Sequence, residues 1–151
     1  MAENLNCDPG TGNSACYDND PACCAKYGRL YDWSTALTAC PSGWHLPSDD
    51  EWTVLTDYVG SSTAGTKLKA TSGWNGTDDY GFSALPGGYG YSDGSFSYVG
   101  YSGYWWSATE EVAVTGSTAI NAYHRMIYGG IVDRHLGRKS NDLFSVRCLQ
   151  D

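Results

Sequence analysis

The chain has no apolar run of membrane-spanning length, and it is poor in several residue types: 3 phenylalanines, 2 methionines and 5 prolines in 151 residues. Without a spanning run, no membrane insertion is expected. Positive charge is scarce too, with Lys+Arg 9 against Asp+Glu 17 and a formal net charge of −8. That balance argues against nucleic acid and anionic membrane surfaces as partners. There is no Cys-x-x-Cys pair and no EF-hand loop. Thioredoxin-like redox chemistry, a zinc ribbon and an EF-hand therefore have no spacing to rest on. His45, His124 and His135 stand in no spacing to a serine or cysteine that suggests a catalytic dyad, so no enzyme is expected.

What is abundant is different. Tyr 12, Trp 6 and Gly 19 suit a loop-rich protein whose rings sit half in the core and half in contact surfaces. Six cysteines, an even number, fit disulfides in an extracellular or cell-surface protein; buried free thiols are the alternative. The length suits a single domain over residues 1–151. Charge is unevenly spread. Residues 1–110 carry four bases against thirteen acids, net −9, whereas residues 111–151 carry five against four, net +1. An acidic solvated face explains this, as does a last third that meets a different partner. Asp18-Asn19-Asp20 and Asp78-Asp79 are oxygen-rich enough to raise the question of a structural calcium; no other cofactor is suggested.

Local signals divide the chain. Residues 1–28, with four cysteines and few aliphatics, are expected to depend on cross-links. Arg29–Trp33 reads as a strand and Ser34–Cys40 as a short helix. Ser48 and Glu51 form a capping box, and Trp52, Leu55 and Val59 then recur at helical spacing up to Gly60. A helical turn is possible at Thr66–Ala70. Gly81–Leu85, Gly103–Thr109, Ala122–Tyr128, Ile131–Leu136 and Phe144–Leu149 read as strands, with a hairpin turn at Tyr128-Gly129-Gly130-Ile131. The expected class is α+β, with two helices and a small antiparallel sheet.

Met1–Asn6 (MAENLN), CYDNDPACCAKYGRLYDW, CPSGWHLPSDDEW, LKATSGWNGTDDYGFSALPGG, YWWSATE and the final FSVRC closely resemble the Fibrobacter succinogenes major paralogous domain family, over essentially the whole chain. The resemblance implies a C-type-lectin-like fold near the formylglycine-generating sulfatase-modifying domains. It also implies a secreted or surface module of bacteria or their phages. Those enzymes carry a reactive cysteine pair late in the domain, but only Cys148 lies beyond Cys40 here, so their activity is not carried over. The EPN, QPD and WND tripeptides of calcium-dependent lectins are absent as well. The likeness implies disulfides Cys40–Cys148 and Cys16–Cys24, leaving Cys7 to pair with Cys23.

Lectin-like domains of this type are also targets of diversity-generating retroelements, which randomise positions near the C-terminal end. Between YWWSATE and FSVRC, the residues His124, Ile127, Gly129, Gly130, Ile131, His135, Leu136, Gly137, Asp142 and Leu143 mix types without periodic logic; an ordinary divergent loop region is the alternative. The expectation is a monomeric, non-catalytic recognition module for a protein or glycan on another cell or phage surface. Its contact residues would be Trp105, Tyr123, His124, Arg125, Ile127, Ile131, Arg134, His135, Leu136 and Leu143. A structural or cell-wall module without its own ligand is the alternative.

Overall fold

The computed structural model describes residues 3–113 and 118–151. The first elements are β1 (Ser14–Ala15), a 3-10 turn at Tyr17–Asn19, α1 (Pro21–Tyr27), β2 (Leu30–Tyr31), α2 (Trp33–Ala39) and β3 (Trp44–His45). Three helices follow: α3 (Asp49–Val59), α4 (Ala64–Leu68) and the irregular turn α5 (Thr71–Trp74). The remainder is β: β4 (Gly87–Tyr91), β5 (Phe96–Val99), β6 (Gly103–Glu110), β7 (Asn121–Tyr128), β8 (Ile131–Arg138), β9 (Asp142–Ser145) and β10 (Leu149–Gln150).

Local chemistry sets the helix starts. The Asp20 carboxylate accepts from Ala22 N at 2.9 Å, ahead of a first turn opened by Pro21. Asp32 accepts from Thr35 N at 2.8 Å to begin α2. The capping box forms as the spacing dictates. Ser48 Oγ accepts from Glu51 N at 3.2 Å, and Glu51 Oε2 accepts from Ser48 N at 2.8 Å.

The expected two helices and small antiparallel sheet are overturned. Among the described residues there are five short helices and an eight-stranded mixed sheet, ordered β1-β2-β9-β4-β6-β7-β8 with β5 added on β4; β3 and β10 form a separate pair. The sheet is mixed because β6 lies parallel to both β4 and β9. Two strands were illegible for a physical reason. Gly87–Tyr91 is GGYGY, whose three glycines mask the strand, and Phe96–Val99 is FSYV, strand-forming residue types in a run of only four. Gly81–Leu85 is not a strand and makes only a bridge from Ala84 to Lys69.

Both faces of the sheet are covered near β6. On one side Trp105 and Ile127 pack with Trp52, Val59, Ala64 and Leu68 from α3 and α4. On the other, Trp106, Ala122 and Phe144 pack with Tyr31, Trp33 and Ala36 around α2. Three indoles in the core donate to backbone carbonyls: Trp33 to Ser107 O at 2.8 Å, Trp52 to Trp106 O at 3.3 Å and Trp106 to Tyr31 O at 2.7 Å. Trp105 donates to Asn4 Oδ1 at 2.8 Å. That oxygen also accepts from the buried Arg147, at 3.2 Å from Nε and 3.0 Å from Nη2, while Arg147 Nη1 donates to Phe82 O. Burial pulls the Arg147 guanidinium down to about 10. Asn4 and Arg147 thus tie the two ends of the chain to the central strand.

Cys40–Cys148 joins the end of α2 to the segment after β9, and Cys16–Cys24 staples the N-terminal turn to α1. The expected Cys7–Cys23 bond does not form; both are free thiols. Cys7 is held against Tyr31, whose hydroxyl donates to Cys7 O at 2.7 Å. Cys23 packs instead against the cluster of Tyr17, Leu30 and Leu143, and burial raises its thiol pKa.

Candidate binding surface

The β7–β8 hairpin forms with the turn where the sequence places it, Tyr128 pairing with Ile131. Antiparallel register sorts its side chains onto two faces. Tyr123, Arg125, Ile127, Val132, Arg134 and Leu136 share the face toward α3 and α4; His124, Met126, Tyr128, Ile131, Asp133 and His135 share the other. The turn is pinned from below. Lys69 Nζ donates to Gly129 O at 2.7 Å, Thr66 N donates to Gly130 O at 3.2 Å, and a Cβ on Gly65 would come within 2.5 Å of Ile131 N.

Five of the ten expected contact residues are not available to a partner. Trp105, His124, Arg125, Ile127 and Leu143 are buried. Strand position explains this: β6 and β7 are interior strands covered on both faces, and Leu143 sits under Tyr17. Ile131, Arg134, His135 and Leu136, on the edge strand, are exposed. Tyr123 is half-buried beneath Arg134, whose guanidinium lies 3.6 Å from its ring centroid.

The two arginines on the α3 side serve the fold. Arg125 Nη1 pairs with Asp49 Oδ1, and Nη2 donates to Asp49 O at 3.0 Å and Thr53 Oγ1 at 2.9 Å. Arg134 Nε donates to the other oxygen, Asp49 Oδ2, at 2.8 Å. One carboxylate in the first turn of α3 thus clamps both hairpin strands. The charge asymmetry has a structural meaning as well. Arg125 and Arg134 pair with Asp49, Lys139 pairs with Glu110 at 3.2 Å, and Arg147 is buried. Bases of the last third are largely consumed by acids of the first two-thirds, and they do not make a free cationic patch.

The surface that sequence reasoning missed is tyrosine. Tyr98, Tyr101 and Tyr128 are 57%, 71% and 58% exposed, and they rim a shallow hollow floored by Tyr17, Ser97 and Val99, with no charged residue in its lining. Tyr98 stacks on Tyr89 (centroids 5.9 Å apart, planes 19°), and Tyr89 meets Tyr104 edge-on at 4.9 Å. The Tyr89 and Tyr91 hydroxyls lie 2.7 Å apart. Aromatic contact continues through Tyr104 to His124 and from His124 to His135. Tyr98 also holds φ +65°, a region bulky residues seldom occupy, with its carbonyl accepting from Tyr101 N and Ser102 N at 3.1 Å each. The only advance signal was the tyrosine count, because the hollow joins Tyr17, the Tyr98–Tyr101 stretch and Tyr128, which lie far apart in sequence.

Other candidates resolve into structural roles. Asp20 caps α1, and Asp78 accepts from Ser83 N at 2.6 Å and Ser83 Oγ at 2.5 Å. Among the described residues no three His, Cys, Asp or Glu side chains are grouped to hold a metal ion. Gly90-Tyr91-Ser92-Asp93-Gly94 spells Gly-x-Ser-x-Gly, but it forms a β4–β5 hairpin turn, and Ser92 Oγ donates to Asn141 Oδ1 at 3.2 Å. A nucleophile elbow needs a strand-to-helix turn, so this string is not one. His45 lies between Asp151 (Nδ1–Oδ1 2.6 Å) and Glu51 (Nε2–Oε1 3.0 Å); these hydrogen bonds raise its pKa. It links α3 to the C-terminal strand and faces no nucleophile among its hydrogen-bond partners.

No curated protein and no solved structure matches the chain, so the lectin-like placing expected from the resemblance has no solved relative behind it. One family model does match, that of the Fibrobacter succinogenes major domain, over residues 1–150. The MAENLN and FSVRC motifs that open and close this match meet in the fold through Asn4 and Arg147, and the chain belongs to the Fibrobacter succinogenes major domain family.

Proposed function

We propose that this chain is a non-catalytic recognition module working outside the cell or on its surface, and that it binds a protein or glycan on another cell or phage through the tyrosine-rimmed hollow and the adjoining edge strand β8. The observation that carries this reading is the grouping of Tyr98, Tyr101 and Tyr128, all exposed, around one uncharged depression. Tyrosine supplies large amphipathic contact area at low entropic cost and is a frequent interface anchor. The positive φ of Tyr98 supports it: strain of about 1–3 kcal/mol at one residue concentrates at working sites. Two disulfides suit an oxidising setting.

A retroelement-diversified surface is compatible with this architecture in a narrower form. Residues 114–117 of the expected variable stretch lie outside the described residues. Within the rest, His124, Ile127 and Leu143 are core, and a Cβ on Gly137 would lie 2.7 Å from the Phe144 ring. Of the expected variable positions, Ile131, His135 and Leu136 on β8 carry exposed side chains, and we take these three as the variable set. Sister copies differing at those three and constant at the core positions would support diversification; copies differing equally at Ile127 or Leu143 would refute it.

The experiment is binding of the fluorescently labelled chain to a panel of intact bacterial cells, read by flow cytometry. Replacing Tyr98, Tyr101 and Tyr128 together with Ser is expected to leave the Tm nearly unchanged and to weaken binding by about tenfold or more. Equal binding by the triple variant at unchanged Tm sinks the reading.

A further inference from the structure

His124 is 5% exposed, and its Nδ1 has no hydrogen-bond partner. A buried nitrogen left so costs about 1–3 kcal/mol, and native folds rarely leave one without a use. The ring is wedged among Phe144 (centroids 4.4 Å apart), Tyr104 and Trp106 (6.0 Å each), none of which is placed to serve that atom. Across the β7–β8 ladder its register partner is His135, with ring centroids 5.9 Å apart and planes tilted by 31°. His135 is half exposed, and its Nε2 lies 3.9 Å from Asp133 Oδ2.

We propose that the cross-strand pair His124–His135 is a two-nitrogen site for a divalent transition metal of the zinc or nickel type. Directly opposed strand residues carry their Cβ atoms about 4.5–5.5 Å apart, close enough for two imidazoles to converge on one ion. Imidazole is the nitrogen ligand these metals favour, and it binds as the neutral ring. Burial keeps His124 neutral at all ordinary pH values, holding its pKa down to about 3. Asp133 Oδ2 lies 3.9 Å from His135 Nε2, beyond hydrogen-bond reach, and its negative charge favours a cation beside that ring. The described residues contribute no third His, Cys, Asp or Glu at this point. Solvent completes the coordination, which makes the site open, with one wall formed by the exposed ring of His135. The inference stands apart from the recognition reading, since metal binding is measured without any partner.

The chain contains three histidines, so long-range 1H–15N spectra of the imidazoles resolve each one. The free thiols Cys7 and Cys23 are first alkylated to remove competing sulfur ligands. Titration with zinc chloride is expected to move the His124 Nδ1 resonance and one His135 nitrogen in step, with a rise in Tm. His135→Ala, at an exposed position, is expected to abolish both changes while the fold persists. Movement of His135 or His45 alone means adventitious surface binding and overturns the proposal. So does a His124 Nδ1 resonance unchanged at millimolar zinc, or one already coupled to a His135 N–H proton without zinc.

Discussion

β7 and β8 are each eight residues long, are joined by a two-glycine turn, and carry the same kinds of side chain: histidine, arginine and isoleucine in both. Ile127 in β7 is 1% exposed and Ile131 in β8 is 42% exposed. His124 is buried among aromatics, whereas His135, directly opposite, is open to water. Arg125 is enclosed by α3, and Arg134 touches the same carboxylate from outside. Composition does not distinguish the two strands. Their rank in the sheet does, because β7 has neighbours on both sides and β8 is an edge. The fold is therefore carried by β7, while β8 presents exposed side chains to solvent.

The largest expected effect falls on the clamp that joins both strands to α3. Asp49→Ala strips Arg125 of its counter-charge inside the protein, and removing one partner of a buried pair costs about 3–5 kcal/mol. Urea unfolding checks this. A loss below about 1 kcal/mol would mean that Arg125 is solvated and the clamp is weak.

The second effect is in pH. Burial first, and then the nearby His135 and Arg125, hold the His124 pKa down to about 3 from its usual 6.5. The unfolded chain thus binds a proton that the folded chain refuses between those values. The stability is complete above about pH 6.5 and is lost as pH falls toward 3. Wild type and His124→Leu, unfolded in urea across that range, should differ in slope, with the variant the flatter of the two. Parallel curves would place His124 in a solvated setting.

How far sequence reached follows the same division. α3 was legible because its capping box and its Trp52, Leu55, Val59 spacing are local features. The β7–β8 hairpin was legible from its turn. The parallel pairing of β6 with β4 and β9 was not, because no local pattern records which distant strand lies alongside. The tyrosine hollow was missed for a related reason: Tyr17, the Tyr98–Tyr101 stretch and Tyr128 come from three separate segments. Five of the ten expected contact residues are buried, since alternation gives two faces but not which strand is an edge.

The smallest effect should come from β8 itself. His135→Ser combined with Leu136→Ser removes two exposed side chains, and the change in urea stability should stay within about 0.5 kcal/mol. A greater loss would show that the edge strand is packed and unfit for variation.

The most direct test of the division between core strand and edge strand is a paired urea unfolding of Ile127→Ala and Ile131→Ala, the same chemical change in two strands of one hairpin. The account predicts a loss of about 2–5 kcal/mol for Ile127→Ala, as for a filled core site, and about 0.5 kcal/mol or less for Ile131→Ala. Equal losses at the two positions would contradict it.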